Sequence, residues 1–456
     1  MAGIGFELRK ILRRDSYFSL VQAYLYAGVI SSGPWLLSIA GLQVIGLLSL
    51  TTSTAEEAVN HFHTTVTYAI VASMVLTSFL QQSFTRYAAD RLYEHKVDHV
   101  VPNFFGALFL VTVVSGLLGF AILWWWFPGQ TLLYRALLLA TFVVLGDIWI
   151  ATIFLSGVRE YKAIVGMFAI GYGTSVIAAL ALKDLGLEGL LLGFLIGQSI
   201  LFMGMVGLAL KNYPSPIFLD WDFLHPKRIY PSLVLIGFFY NVGIWGDKLI
   251  FWYHPETSQA AIGPIRGSLI YDVPITLAWL TIIPGMAVFL VRVETDFVER
   301  CQAFYDGIVK GAPLAWIETK KREMVAGVRH ALIEIMQVQG IAVLAIFAAG
   351  SWILSRLAVS DLYAPLLYID VVAAALQVLF LGVMTVFFYL DKRKILLWLT
   401  GLFGASNLFG TWLSIQLGLP FYGYGLALSL LLGVTVGLFL LNRALRRLEY
   451  TTFMLQ

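Results

Sequence analysis

The sequence predicts an all-α membrane protein of about twelve transmembrane helices, arranged as two six-helix bundles with both termini in the cytoplasm. Three observations lead there: the composition, the spacing of apolar runs and the placement of basic residues. The 456 residues are 59% hydrophobic and only 12% charged. A soluble domain carries about a quarter charged residues, so this supply is half of what a water-facing surface needs. Mean hydropathy is +0.83, and apolar runs recur from end to end. Lipid is therefore the expected solvent for most of the chain.

Crossing the hydrocarbon core takes about 20 apolar residues. Runs of that kind lie at 18–50, 64–84, 101–127, 132–156, 163–182, 187–209, 229–252, 267–290, 330–352, 366–389, 395–416 and 422–442. The first is long and carries Ser32-Gly33-Pro34, where proline removes a backbone donor and crowds the preceding turn. A kink or break is expected at Gly33 and Pro34. Only Pro128-Gly129-Gln130 separates the third run from the fourth.

Orientation follows from lysine and arginine. With the amino terminus inside, the loops on that side (1–17, 85–100, 157–162, 210–228, 291–329, 391–394 and 443–456) hold 25 basic residues. The opposite side holds four, Arg135, Lys183, Arg266 and Arg356. This positive-inside asymmetry places both termini in the cytoplasm, and Trp124-Trp125-Trp126 falls where an outer aromatic belt is expected. Cys301 is the single cysteine, so no intramolecular disulfide is possible. The charged start and long first run do not resemble a cleavable signal peptide.

The spans fall into two sixes. Leu185-Gly186-Leu187 introduces the sixth and Leu417-Gly418-Leu419 the twelfth, 232 residues later. Glycine-spaced apolar runs follow both, as expected of an internally repeated transporter, although glycine-rich faces also serve plain helix packing. The expected organisation is an amphipathic cytoplasmic segment at 1–17, a first bundle at 18–209 and a linker at 210–228. A second bundle follows at 229–442, with a cytoplasmic loop at 291–329, and then a cytoplasmic tail at 443–456. In the first segment Ile4, Phe6, Leu8, Ile11 and Leu12 alternate with Glu7, Arg9, Lys10, Arg13 and Arg14. That pattern fits either a helix lying in the headgroups or a basic topogenic flank.

Enzyme chemistry is sparse, and the chain reads as a non-enzyme with no catalytic residue, cofactor, metal or nucleic-acid partner. No phosphate-cradling P-loop occurs. The seven histidines show no metal-ligand spacing; the closest pair, His61 and His63, belongs to a predicted outer loop. Asp220-Trp221-Asp222 has the Asp-x-Asp form of some metal-dependent glycosyltransferases, but it stands in a linker without a nucleotide-binding domain. The informative residues are the charges inside spans: Asp147, Asp247, Lys248, Asp272 and Asp370. A charge at a helix centre costs about 2.5–3.5 kcal/mol, so it faces the protein interior or a wet cavity. Lys248 between Asp247 and Asp272 fits a mutually neutralised structural cluster, or a gate and polar contact for substrate. Asn241, Ser31, Gln198, Gln377 and Asn407 add neutral polarity. Trp35, Phe238, Phe239, Tyr240, Trp245 and Tyr271 suit either sugar stacking or packing. The helix break and these charges mark the first, seventh and eighth spans as expected walls of a path.

The opening MAGIGFELRKILRRDS, followed by YAGVISSGPWLLSIAG and later by GDKLIFW, resembles the PelG family, inner-membrane transporters of the biofilm exopolysaccharide Pel. More distantly the chain is similar to the multidrug/oligosaccharidyl-lipid/polysaccharide exporter superfamily. The resemblance implies translocation of an N-acetylgalactosamine-rich polymer across the bacterial inner membrane, through a central cavity between two helix bundles. It also implies a cytoplasmic glycosyltransferase, gathered by two Pel membrane partner proteins and docked on basic surfaces that include 1–14 and 291–329. No family motif fixes transport residues. Alternatives of the same architecture are a flippase for lipid-linked oligosaccharides or small molecules, and a membrane scaffold that only recruits a glycosyltransferase. A membrane-embedded glycosyltransferase would need a catalytic loop, and only Asp220–Asp222 resembles one.

Overall fold

In the computed structural model, residues 17–49, 53–157, 160–226, 228–357 and 359–454 are described. Residues 1–16, most of the predicted amphipathic segment, lie outside them. The elements in order are α1 (Tyr17–Ser49), α2 (Ser53–Tyr93), α3 (Val100–Trp126), α4 (Leu132–Gly157), α5 (Tyr161–Ala181), α6 (Gly186–Asn212) and α7 (Pro231–Tyr253). A two-stranded hairpin follows, β1 (Gln259–Ile262) and β2 (Ile265–Gly267). The second half holds α8 (Leu269–Leu280), α9 (Ile283–Val291), α10 (Val298–Val309), α11 (Leu314–Arg356), α12 (Ala364–Tyr389), α13 (Arg393–Leu417), α14 (Tyr424–Arg446) and α15 (Leu448–Phe453). Among the described residues eleven helices are long and apolar enough to span a bilayer, and a bent pair makes twelve. In that pair α8 meets the helix beginning at Ile283 at 41°. Pro284 stands in the first turn of α9, where its missing N–H costs nothing.

The chain divides into two compact units. The amino-terminal unit comprises residues 33–245 and 251–268; the carboxyl-terminal unit takes the residues up to Ser32, 246–250 and everything from Leu269. α1 is helical throughout and carries Pro34 inside it. The change of unit falls between Ser32 and Gly33, where the sequence predicts the break.

Packing within each unit repeats one device. In the amino-terminal unit a Cβ on Gly193 of α6 would collide with the backbone of Ala179 on α5. In the carboxyl-terminal unit a Cβ on Gly425 of α14 would collide with the backbone of Thr411 on α13. Both members of the second pair stand 232 positions beyond the first, the spacing of the sequence repeat. Hydrophobic transfer drives little helix association in lipid, so close backbone approach at small residues has to supply it. Elsewhere Phe104 stacks on Phe154 at 4.4 Å in one core, and Leu354, Leu367 and Val371 fill the other. Trp124, Trp125 and Trp126 are all exposed at the end of α3, as the belt requires.

Two features depart from the expected outline. Residues 291–329, read from their charges as a loop, are helical except for the turn at 310–313. Phe297, Cys301, Phe304, Ile317, Met324 and Val328 are buried at helical spacing, which gives both arms an apolar stripe despite low hydropathy. α11 has 43 residues, about 64 Å at 1.5 Å per residue, twice the ~30 Å hydrocarbon core. The hairpin after α7 is the second. Tyr68 of α2 donates to the Arg266 carbonyl at 2.8 Å, and Gly263 turns the chain at φ 56°.

Candidate functional site

The carboxyl-terminal unit gathers buried charge onto α7, α8, α12 and α13. Asp247 is fully buried and Lys248 is 3% exposed. Lys248 Nζ donates to both Asp247 oxygens, at 3.2 and 3.0 Å. Tyr271, on α8, donates its hydroxyl to Asp247 Oδ2 at 2.5 Å, and Asn407 of α13 approaches Oδ1 at 3.5 Å. The Lys248 ammonium also lies 4.5 Å from the centre of the Trp279 ring, a cation–π contact that strengthens when desolvated. Asp370 of α12, also fully buried, is within electrostatic reach of Lys248 and Asp247. Neither of its carboxyl oxygens has a hydrogen-bond partner among the described residues. Gly423, at φ 83°, gives it room: a Cβ there would stand 2.9 Å from Asp370 Oδ1.

The structure thus brings Asp247, Lys248 and Asp370 together. Asp272 sits half-buried on α8, within electrostatic reach of Tyr271. Asn241 turns its side chain inward on its own helix, donating to the Gly237 carbonyl at 3.1 Å. Asp147 belongs to the amino-terminal unit and is 4% exposed. Thr112 of α3 donates to its Oδ2 at 2.9 Å, and Oδ1 is buried without a partner among the described residues. Buried carboxylates with unfilled acceptor capacity are costly, so they mark positions where polarity serves more than packing. Of the aromatic candidates, Tyr271 is fully buried and Phe238 stacks on Phe79 at 4.6 Å.

A second polar network in the carboxyl-terminal unit was not legible in the sequence. Tyr24 of α1 donates to Glu334 Oε1 at 2.5 Å. Arg292 Nε donates to Glu334 Oε2 at 2.7 Å, and Arg292 Nη1 to Asp296 at 2.9 Å. Arg292–Phe297 forms a π-helical turn, a rare wide turn that recurs at functional sites. The signal for it was the Arg292, Glu294, Asp296 alternation, which reads more simply as a solvated face.

Asp220 and Asp222 are absorbed by structure. Asn103 of α3 donates to Asp220 Oδ2 at 3.1 Å, and the Asp220 amide donates to the Pro102 carbonyl at 3.1 Å. Tyr87 of α2 donates to Asp222 Oδ2 at 3.0 Å, and Arg228 pairs with that oxygen. The predicted linker is therefore fastened to α2 and α3. His61 and His63 lie on α2 rather than in a loop. Among the described residues no cluster of three His, Cys, Asp or Glu residues suits a metal ion.

A family model for putative exopolysaccharide exporters, PelG (EPS-E), matches residues 1–453. No curated protein matches the chain. Among solved structures, a multidrug-resistance MATE transporter of the MOP superfamily, in its outward-facing conformation, aligns with a TM-score of 0.64 and 12% identity. The alignment covers 94% of this chain and 96% of that one. A MATE transporter in complex with MaL6 aligns with a TM-score of 0.65 at 12% identity, covering 94% and 97%. A MOP-superfamily transporter from Pyrococcus furiosus, described by the reversed polarity of its binding pocket, gives 0.61 at 12% identity over 93% and 96%. These likenesses establish the MOP transporter fold. The chain is a multi-pass protein of the bacterial inner membrane, and it belongs to the PelG family of putative exopolysaccharide exporters.

Proposed function

We propose that the chain carries the N-acetylgalactosamine-rich Pel polymer across the inner membrane, along a central passage between its two helix bundles. The observation that supports this reading is the match of the exporter family to nearly the whole chain. A MOP fold supplies a transporter's architecture, and a hydroxyl-covered polymer needs a polar route past hydrocarbon. In this reading α1, α7 and α8 border the route. The Asp247–Lys248–Asp370 cluster gates it, and Asp147, Asn241 and Asp272 offer polar contacts. Gly33 and Pro34, where the chain changes unit, would let α1 bend as the route opens and closes. A cytoplasmic glycosyltransferase and its Pel membrane partners dock on the basic face, at 1–14 and on the helical hairpin within 291–329.

Export in cells tests the reading. A strain that synthesises the polymer but lacks this chain should retain glycan in the cytoplasm, and restoring the chain should deliver it outside as free polymer. Glycan that appears outside only in a solvent-extractable, lipid-linked form would replace the substrate with a lipid-linked one. Retention of glycan while the synthase still gathers at the membrane would make the chain a scaffold.

A further inference from the structure

The amino-terminal unit holds a polar cleft at the end of α2, on the side rich in basic residues. Its volume is about 160 Å³, close to the roughly 150 Å³ that admits a single benzene ring. Tyr87, Asp90, Arg91 and Glu94 form one wall, and Arg228 and Tyr230, leading into α7, form the other. Tyr93 stands on the rim, 87% exposed, with nothing of the core to cover it.

Among the lining residues two guanidinium groups face two carboxylates, and Arg86, Lys96 and Asp222 pair with them from outside the lining. They are also held in place. Arg91 Nη2 donates to Glu94 at 2.8 Å. Asp90 takes the Arg86 guanidinium at 3.0 Å and the Tyr230 hydroxyl at 3.1 Å. Arg91 is only 7% exposed, and its Nε–H has no acceptor among the described residues. A hydrogen bond from Lys96, with the Arg91 charge nearby, holds the Glu94 carboxyl below its usual range. It therefore stays an acceptor at neutral pH.

This set discriminates by charge. A phosphate or anionic headgroup would meet Asp90 and Glu94 together with the arginines, and a cation would meet both guanidinium groups. A neutral polyhydroxylated ring satisfies both signs, because its hydroxyls donate to carboxylates and accept from guanidinium N–H groups. Its C–H face suits an exposed tyrosine, which offers a rigid amphipathic surface. We infer that this cleft is a glycan subsite, binding one neutral hexose or N-acetylhexosamine ring of a chain. The inference deepens the export reading and rests on it for the ligand class.

The test uses the full chain in phosphatidylcholine nanodiscs and saturation-transfer NMR. The probes are tetramers of N-acetylgalactosamine, N-acetylglucosamine and glucose. At least one tetramer should bind the native protein, and Tyr93→Ala and Glu94→Gln should each weaken it by about tenfold, the scale of one lost stacking or charged hydrogen-bond contact. Both positions are exposed, and glutamine keeps an amide oxygen to accept from the buried Arg91, so neither change threatens the fold. Absence of saturation for all three tetramers, unchanged binding in both variants, or displacement by glycerol phosphate would overturn the inference. Export of polymer into vesicles is measured in parallel. Export without tetramer binding refutes the subsite alone; tetramer binding without export refutes the export reading alone.

Discussion

Replacing Lys248 with Met probes the buried cluster most severely. Asp247 and Asp370 are fully buried and Lys248 is 3% exposed, so water can solvate none of the three. Removing one partner of a buried pair costs about 3–5 kcal/mol, chiefly because the other charge is left stranded. Tyr271 and Asn407 continue to donate to Asp247, which places the expected loss near the lower figure, about 3 kcal/mol. Asp370→Asn differs in kind. Neither oxygen of that carboxyl has a hydrogen bond to lose among the described residues, so stability should move by less than about 1 kcal/mol. Export should nevertheless fall if Asp370 belongs to the gate. The double change Lys248→Met/Asp247→Asn should recover part of the loss, since Asp247 then carries no stranded charge, while Asp370 still lacks its neighbouring cation. Reversible unfolding by steric trapping in bicelles measures these differences. A Lys248→Met protein within 1 kcal/mol of the native one, or a double variant no better than the single, would refute the reasoning.

Three further outcomes follow from the packing. Gly425→Val should cost about 1–3 kcal/mol or more, because the added atoms meet the backbone of Thr411; Gly207→Ala, with open space around it, should be silent in the same unfolding assay. Glu334→Leu removes one of the two carboxylates that hold the half-buried Arg292, leaving Asp296, and removes the Tyr24 acceptor, for a loss of about 1.5–3 kcal/mol. Tyr24→Phe should cost no more than about 1.5 kcal/mol. Cys301 is 3% exposed, so maleimide should leave it unmodified in the native protein and label it after unfolding in dodecyl sulfate, as mass spectrometry would show.

Much of the membrane architecture was legible because lipid imposes a single rule along the whole chain: each crossing needs an apolar run of fixed length. The spacing of 232 residues was legible as well, and Gly193 against Ala179 recurs as Gly425 against Thr411. The site was legible only in its parts. Asp247, Lys248 and Asp370 announce themselves as charges inside apolar spans, yet nothing local tells which of them meet. Tyr24 and Glu334 are 310 positions apart, and neither stands out where it occurs. The helical hairpin within 291–329 was hidden by its surface, whose lysines, arginines and glutamates outweigh a narrow buried stripe in any average of hydropathy. Asp220 and Asp222 mislead for the converse reason. Their spacing imitates a metal-binding motif, while their partners on α2 and α3 are more than a hundred residues away.

Transport of a polysaccharide is the central claim, and vesicles test it most directly. Proteoliposomes would contain this chain and its cognate glycosyltransferase, with sugar nucleotide supplied outside and no ion gradient imposed. The account predicts glycan inside the vesicles, protected from added glycosidase, only when both proteins are present. Glycan that remains fully digestible outside, with and without an imposed gradient, would contradict it.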